Sequence, residues 1–308
     1  MIRLGLCCLF KEAPIKFRSV TLTNLKKAHL TDGDPQGYLS KLVLHNARAL
    51  KEAILFCQAH QIGSFRVLSQ LLPLSSHPEF AYAAQDLKDA AEILAALEEC
   101  RQLALKANVR LVFHPDQFIL LNSLKEEVNA LSIRELEAQN ALANLIGADT
   151  ILIHAGGAFQ DKALSLKRLC KNLERLSPSL RQKLSLENDD RSYSPADLLP
   201  LCQSEGLPLT YDVHHHRCLP DALSMEEATL QAIKTWPREP LFHISSPING
   251  WQEPKTMRCH HDYIDSHDFP LFWREVGPLT VEVEAKAKEL AIAKLKLELE
   301  QNGFQIRG

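Results

Sequence analysis

The sequence predicts one (β/α)8 barrel, an α/β TIM-barrel fold occupying residues 1–308 as a single domain. Three observations predict it. Short apolar or β-branched runs alternate with longer segments of helical periodicity along the whole chain, as in βα units repeated around a parallel sheet. Eight such runs can be counted, the number that closes a barrel. No linker-like stretch interrupts them, and 308 residues is an ordinary length for this fold as one unit.

The first strand is read at Ile2–Cys7, followed by a helical pattern over Leu39–His60 with apolar residues three and four apart. Ser64–Leu68 is the second strand, and Asp86–Ala107 is the helix that leads to the third, Val109–Phe113. A helix over Ile133–Ile146 stops at Gly147 and hands over to the fourth strand, Thr150–Ile153. The fifth and sixth are Leu184–Leu186 and Leu209–Tyr211, the latter preceded by Gly206. Leu241–Ile244 is the seventh, and Leu279–Val283, after Gly277, is the eighth. Each of these glycines is read as a helix-ending position that tolerates positive φ. A final helix over Ala285–Gln301 sets Leu and Ile at helical spacing among Lys and Glu, which suits packing against the barrel wall.

Hydrophobic residues at 45% and charged residues at 24% place the chain among soluble globular proteins. A net charge of -3 leaves no overall basic signature, so contact with nucleic acid has to come from a local patch. The opening MIRLGLCCLF is too short an apolar run for a secretory signal or a membrane span, and a cytoplasmic protein without membrane association is expected. The eight cysteines form no CxxC pair and no zinc-finger spacing, so they read as reduced thiols.

The residues at the strand ends carry the chemistry. His114 follows the third strand, His154 the fourth, Glu187 the fifth, and Asp212 and His215 the sixth. His243 lies in the seventh and Glu284 closes the eighth. In this fold those ends face one mouth, where the active site is built. One His in a strand is ordinarily a hydrogen-bonded core residue. Six consecutive strands ending in imidazole or carboxylate are not explained by packing, because burying so many ionisable groups together costs several kcal/mol each unless cations compensate them.

Imidazole nitrogen and carboxylate oxygen are ligands for Zn²⁺, Mn²⁺ or Fe²⁺, and without clustered thiolates a structural zinc arrangement is excluded. There are more ligands than one ion needs. Two or three ions sharing a carboxylate is the arrangement expected, and it suits displacement at phosphorus. Of the triplet His214-His215-His216, neighbouring side chains diverge, and His215, three residues after Asp212, is the ligand chosen. His261 is read evenly as ligand or surface residue. His77, in the long loop after the second strand, is a candidate proton donor or phosphate contact, with simple exposure as the alternative. Gly156-Gly157 would let backbone approach a ligand closely, although paired glycines are also ordinary in loops.

The segments IRLGL, FRVLSQLLPLSSHPEF, VFHPDQF, LIHAGGAF, LSLENDD, YDVHHH, FHISSP, RCHHDYI and VEVEAKAKE occur in this order at barrel spacing. Together they resemble the ultraviolet damage endonuclease family, with the endonuclease IV type apurinic enzymes looking like more distant relatives. The resemblance implies a manganese-dependent enzyme, acting as a monomer on damaged double-stranded DNA, that cuts the phosphodiester 5′ of an ultraviolet photoproduct. It implies that Glu187 bridges ions, with His114 and His154 on one, Asp212, His243 and Glu284 on a second, and His215 with His260 on a third. Hydroxide generated there would attack phosphorus in line.

Lys286 and Lys288, just past Glu284, are read as offering charge to the scissile phosphate, with solvent exposure at a helix start as the alternative, and the resemblance implies that Gln117-Phe118 probes the opened duplex. Family members carry Gln-Tyr at that pair, so the stacking face is kept and the hydroxyl is missing. Where relatives often have Tyr near the end of the first strand and Asn nearby, this chain has Leu6 and Phe10. Where many have Lys two residues before the seventh-strand His, it has Leu241. Two other readings stand beside this one: a metal-dependent sugar isomerase or epimerase on a related barrel, and a binding protein that keeps the barrel without turnover.

Overall fold

The structure, a computed structural model, describes residues 1–32, 34–159 and 161–308, with backbone alone for 28–32. Eight strands form the barrel: β1 Ile2–Cys7, β2 Ser64–Val67, β3 Arg110–Phe113, β4 Thr150–His154, β5 Leu184–Glu187, β6 Leu209–Thr210, β7 Leu241–Ile244 and β8 Leu279–Val283. Neighbours pair in parallel in the order β6-β5-β4-β3-β2-β1-β8-β7. The ring closes between β6 and β7 through one parallel bridge, Asp212 to His243, and the His243 N–H donates to the Tyr211 carbonyl at 3.0 Å. The expected TIM barrel is the observed fold. A short strand, Ile306–Arg307, which the periodicity did not suggest, pairs with the start of β1 outside this ring.

Strand alternation explains why the barrel holds. Ile2, Leu4 and Leu6 of β1, Phe65 and Val67 of β2, and Leu279, Val281 and Val283 of β8 are buried in the main apolar cluster. Their alternates Arg3, Ser64, Arg66, Thr280 and Glu282 are buried polar residues. Hydrogen bonds satisfy several such interior groups, with Thr210 Oγ1 donating to Ser185 Oγ at 3.1 Å and Arg110 to Thr280 Oγ1 at 3.1 Å. A polar interior is thereby made compatible with a folded barrel.

The helices differ from the sequence reading mainly at their starts. Pro35–Ala59 begins earlier than expected because Asp34 caps it, accepting the Gly37 N–H at 2.8 Å. Glu126–Ile146 is longer than its apolar stripe, and Ala90–Ala107 begins after a separate 3₁₀ turn, Ala84–Asp86. Gly147 and Gly206 do end helices, at φ 75° and 64°. Gly277 also has positive φ but follows the 3₁₀ segment Leu271–Arg274 rather than an α-helix.

The last helix is Glu289–Gln301, four residues shorter at its start than expected. The Lys286 and Ala287 N–H groups donate instead to the His261 and Asp262 carbonyls, at 3.1 and 2.9 Å, which ties residues 285–288 to the loop after β7. Among the described residues, no helix is long and apolar enough to cross a membrane.

Candidate metal centre

Strand register brings the predicted ligands together. His154 and Glu187 are register partners across β4 and β5, and Asp212 is bridged to His243 at the β6–β7 seam. Glu187 lies at the middle. Its Oε2 is 3.1 Å from His114 Nε2 and 3.6 Å from His154 Nε2, and its Oε1 is 2.8 Å from His243 Nδ1 and 3.5 Å from His215 Nδ1.

Asp212 caps the short helix Val213–Cys218, accepting the His215 N–H on Oδ1 at 2.7 Å. Capping fixes its carboxylate while the turn that follows brings the His215 ring back to 3.6 Å from Oδ2. The other two members of the triplet point elsewhere. His214 Nδ1 is 3.2 Å from the Ser245 carbonyl, and His216 is held between the Tyr211 hydroxyl at 2.8 Å and Asp221 at 3.1 Å.

On the β8 side, Glu284 Oε1 is 3.4 Å from His243 Nδ1, and Oε2 is 3.8 Å from His260 Nδ1. Three overlapping sets have ligand atoms mutually within 4.8 Å: His114, Glu187 and His243; Glu187, Asp212 and His215; Asp212, His243 and Glu284. His154 and His260 flank these sets. His261 turns away, with Nδ1 engaged by the Tyr263 backbone.

The donor set fits divalent cations. Glu187 Oε2, Asp212 Oδ2, His114 Nδ1 and His154 Nδ1 are buried without hydrogen-bond partners among the described residues. Buried polar atoms are normally satisfied, and carboxylate oxygens converging with imidazole nitrogens are what a cation would satisfy. Burial pushes the Glu187 carboxyl up, but the neighbouring His243, His154 and His114 outweigh it and hold it well below the usual range. Glu284 is likewise held well down, burial being outweighed by Arg66 and His243. Burial lowers His114. It acts on His215 too, but the Asp212, Glu187 and Glu284 carboxylates prevail and raise that imidazole to about 9. These opposed shifts mark carboxylates and imidazoles whose charges oppose one another at close range.

A cavity of about 570 Å³ opens above the cluster, lined by His114, His154, Glu187, His215, His260 and Glu284, with Gln117 and Gly156-Gly157 at its edge. Gly156 is required there: at φ 87°, a side chain would meet Asn122 Oδ1 at 2.3 Å. A second cavity shares His260 and Glu284 and adds Lys286, Lys288 and Arg258. Lys288 holds φ 52°, a conformation that L residues rarely adopt, so the lysine turn is a specific structure rather than a frayed helix start. Phe118 stands 73% exposed beside Gln117. His77 lines a different cavity, shared with Asp116 and Phe118, and its Nδ1 accepts the Glu79 N–H at 3.2 Å.

The family model for UV-endonuclease UvdE matches residues 2–305. The chain belongs to the UvdE family. It is 34% identical to the UV DNA damage endonuclease of Deinococcus radiodurans over 92% of each chain. The crystal structure of SacUVDE superposes with a TM-score of 0.85, at 27% identity, covering 99% of this chain and 100% of that one. Endonuclease IV from Thermus thermophilus shares the fold, with a TM-score of 0.61 at 14% identity over 97% of this chain and 99% of that one. The resemblance read in the sequence is therefore borne out, and UvdE proteins are endonucleases.

Two charged residues beside the predicted ligands escaped the sequence reading. Arg66 and Glu282 lie buried beside His243 and Glu284. A signal for Glu282 was present, since it precedes Glu284 by two residues in a strand and so shares its face. For Arg66 the signal was a lone charge inside an apolar strand.

Proposed function

We propose that this UvdE chain is a divalent-metal-dependent DNA repair endonuclease that hydrolyses the phosphodiester 5′ of ultraviolet photoproducts in double-stranded DNA. The observation that carries this reading is the convergence on Glu187 of four imidazoles, with Asp212 and Glu284 beside them, in a chain of that family. In this reading Glu187, His114, His154, Asp212, His215, His243, His260 and Glu284 hold two or three ions, Mn²⁺ foremost. When bound, such ions supply an activated water nucleophile and neutralise charge on the leaving oxygen.

The remaining residues handle the DNA. Lys286 and Lys288, beside the ligand cavity, attract the phosphate that enters it. Gln117, at the mouth, and the exposed Phe118 ring enter the duplex where a photoproduct has weakened stacking and pairing. His77, in the cavity next to Phe118, is assigned a contact to DNA rather than to the reacting phosphate. The protein is taken to act as one domain, as a monomer in the cytoplasm.

Incubating irradiated and unirradiated duplex oligonucleotides with the protein and Mn²⁺ tests the reading. Nicks on the 5′ side of photoproducts, lost by more than about 100-fold in Glu187→Gln, are expected, because the central carboxylate holds its neighbours in place. Absence of nicking on either duplex overturns it.

A further inference from the structure

His243 presents its two ring nitrogens to two different groups of partners. Nδ1 faces the ligand cluster, with Glu187 Oε1 at 2.8 Å and Glu284 Oε1 at 3.4 Å. Nε2 faces deeper into the barrel, where Glu282 Oε2 and an Arg66 nitrogen each lie at 2.9 Å. The Arg66 Nε donates to Glu282 Oε2 at 2.7 Å, a second guanidinium nitrogen also contacts that oxygen, and Nη1 reaches Glu284 Oε1 at 2.7 Å. One arginine thus joins Glu282, His243 and Glu284.

Chemistry narrows what this contact does. A carboxylate only accepts and a guanidinium only donates. When the imidazole is neutral, a proton on Nε2 goes to Glu282 and leaves the Nδ1 lone pair directed at the cluster. A proton on Nδ1 goes to Glu187, and Nε2 then accepts from Arg66; in that tautomer the ring offers no lone pair to a cation. A metal-ligating histidine depends on a partner that takes its other N–H, and the carboxylate is the stronger such partner.

We infer that Glu282 and Arg66 are positioning residues of the metal centre: Glu282 fixes the His243 tautomer that presents Nδ1, and Arg66 pins Glu282 and Glu284 Oε1 together. The fold makes space for this pair at a cost in side chains. Gly5 of β1 lies opposite, and a Cβ there would come within 3.1 Å of Glu282 Cγ and 3.2 Å of Ser64 Cβ. The clamp rests on the metal-dependent reading above, and its test can fail independently of it.

Binding of Mn²⁺ alone is measured by calorimetry for wild type, Glu282→Gln and the double variant Arg66→Met/Glu282→Met, which removes both charges of the Arg66–Glu282 pair together. Wild type is also labelled with ¹⁵N histidine and loaded with Zn²⁺ to read which ring nitrogen of His243 carries the proton. Expected are a roughly 10- to 100-fold loss of Mn²⁺ affinity in both variants, and an Nε2 proton in wild type that is lost or exchange-broadened in Glu282→Gln. Unchanged affinity in both variants, or an Nδ1 proton in loaded wild type, overturns the inference. If Glu282→Gln fails to fold, the double variant decides. Wild type that binds Mn²⁺ but nicks no irradiated DNA sinks the functional reading and leaves the clamp standing.

Discussion

At the residue scale the site divides into groups that the sequence announced and groups that it concealed. His114, His154, Glu187 and Asp212 each follow or end a short apolar run, and His243 lies one residue before the end of one, so reading the strand ends found them. Phe118 was found by its neighbour Gln117, and its isolation in space gives it a measurable role. An aromatic ring 73% exposed beside a ligand cavity is a stacking surface for a base, worth about 1–3 kcal/mol, or roughly 5- to 150-fold. Phe118→Ala should lose about that factor in kcat/KM on irradiated duplex while Mn²⁺ affinity stays at the wild-type value. Unchanged kcat/KM would show that the ring does not meet DNA. Phe118→Tyr supplies the hydroxyl that the family resemblance leads one to expect at this position, and it should cut irradiated duplex at least as well as wild type. Arg66 and Glu282 stayed hidden for a different reason. A charge inside a strand does not tell whether it meets a partner across a barrel, since that depends on which strands become neighbours.

At the scale of elements, the largest departure from the periodic pattern is the shortened last helix, and it has a consequence for stability. Glu289, in its first turn, accepts the N–H groups of Lys11 at 2.7 Å, Glu12 at 2.7 Å and Ala13 at 3.0 Å. It thereby anchors the loop that leaves β1 to the start of the last helix. Burial pushes the Glu289 carboxyl up, but the backbone donors, Glu12 first, outweigh it and hold it below its ordinary value. A depressed carboxylate pKa means that the unfolded chain binds the proton more tightly. Its contribution is therefore present above the unfolded value, about pH 4.3, and is lost as the pH falls through the folded value. Glu289→Gln should destabilise the protein at pH 7 by about 1–3 kcal/mol, from hydrogen bonds to a charged acceptor, and by clearly less near pH 3.5. Urea denaturation at the two pH values measures the difference. An equal loss at both would show that the carboxylate charge is not what holds the loop. Apolar spacing carried the helical pattern back to Ala285, but it holds no information about backbone donors claimed by the loop after β7.

For the whole molecule, the weak place in the barrel and the metal centre coincide. Seven of the eight strand neighbours pair over two or more residues, whereas β6 and β7 meet at the single bridge between Asp212 and His243. Both residues belong to one candidate ligand set with Glu284. A cation shared between them would tie the seam from within, so metal binding and barrel closure should be linked. A ligand that binds only the folded state at 100 times its Kd stabilises by about 2.7 kcal/mol. At about 2.1 cal/mol/K per residue, a chain of this length should then gain roughly 4 °C in Tm. Calorimetry with and without Mn²⁺, reversed by a chelator, measures the gain, and hydrogen exchange locates it. Protection should rise most at residues 209–212 and 241–244, and in Asp212→Asn both the thermal gain and that local protection should fall away. A Tm that rises with Mn²⁺ while protection at the seam stays constant would place the stabilising ion elsewhere. In that case the single bridge closes the ring unaided, and the polar interior, with its hydrogen bonds from Thr210 to Ser185 and from Arg110 to Thr280, carries the load otherwise given to the cation.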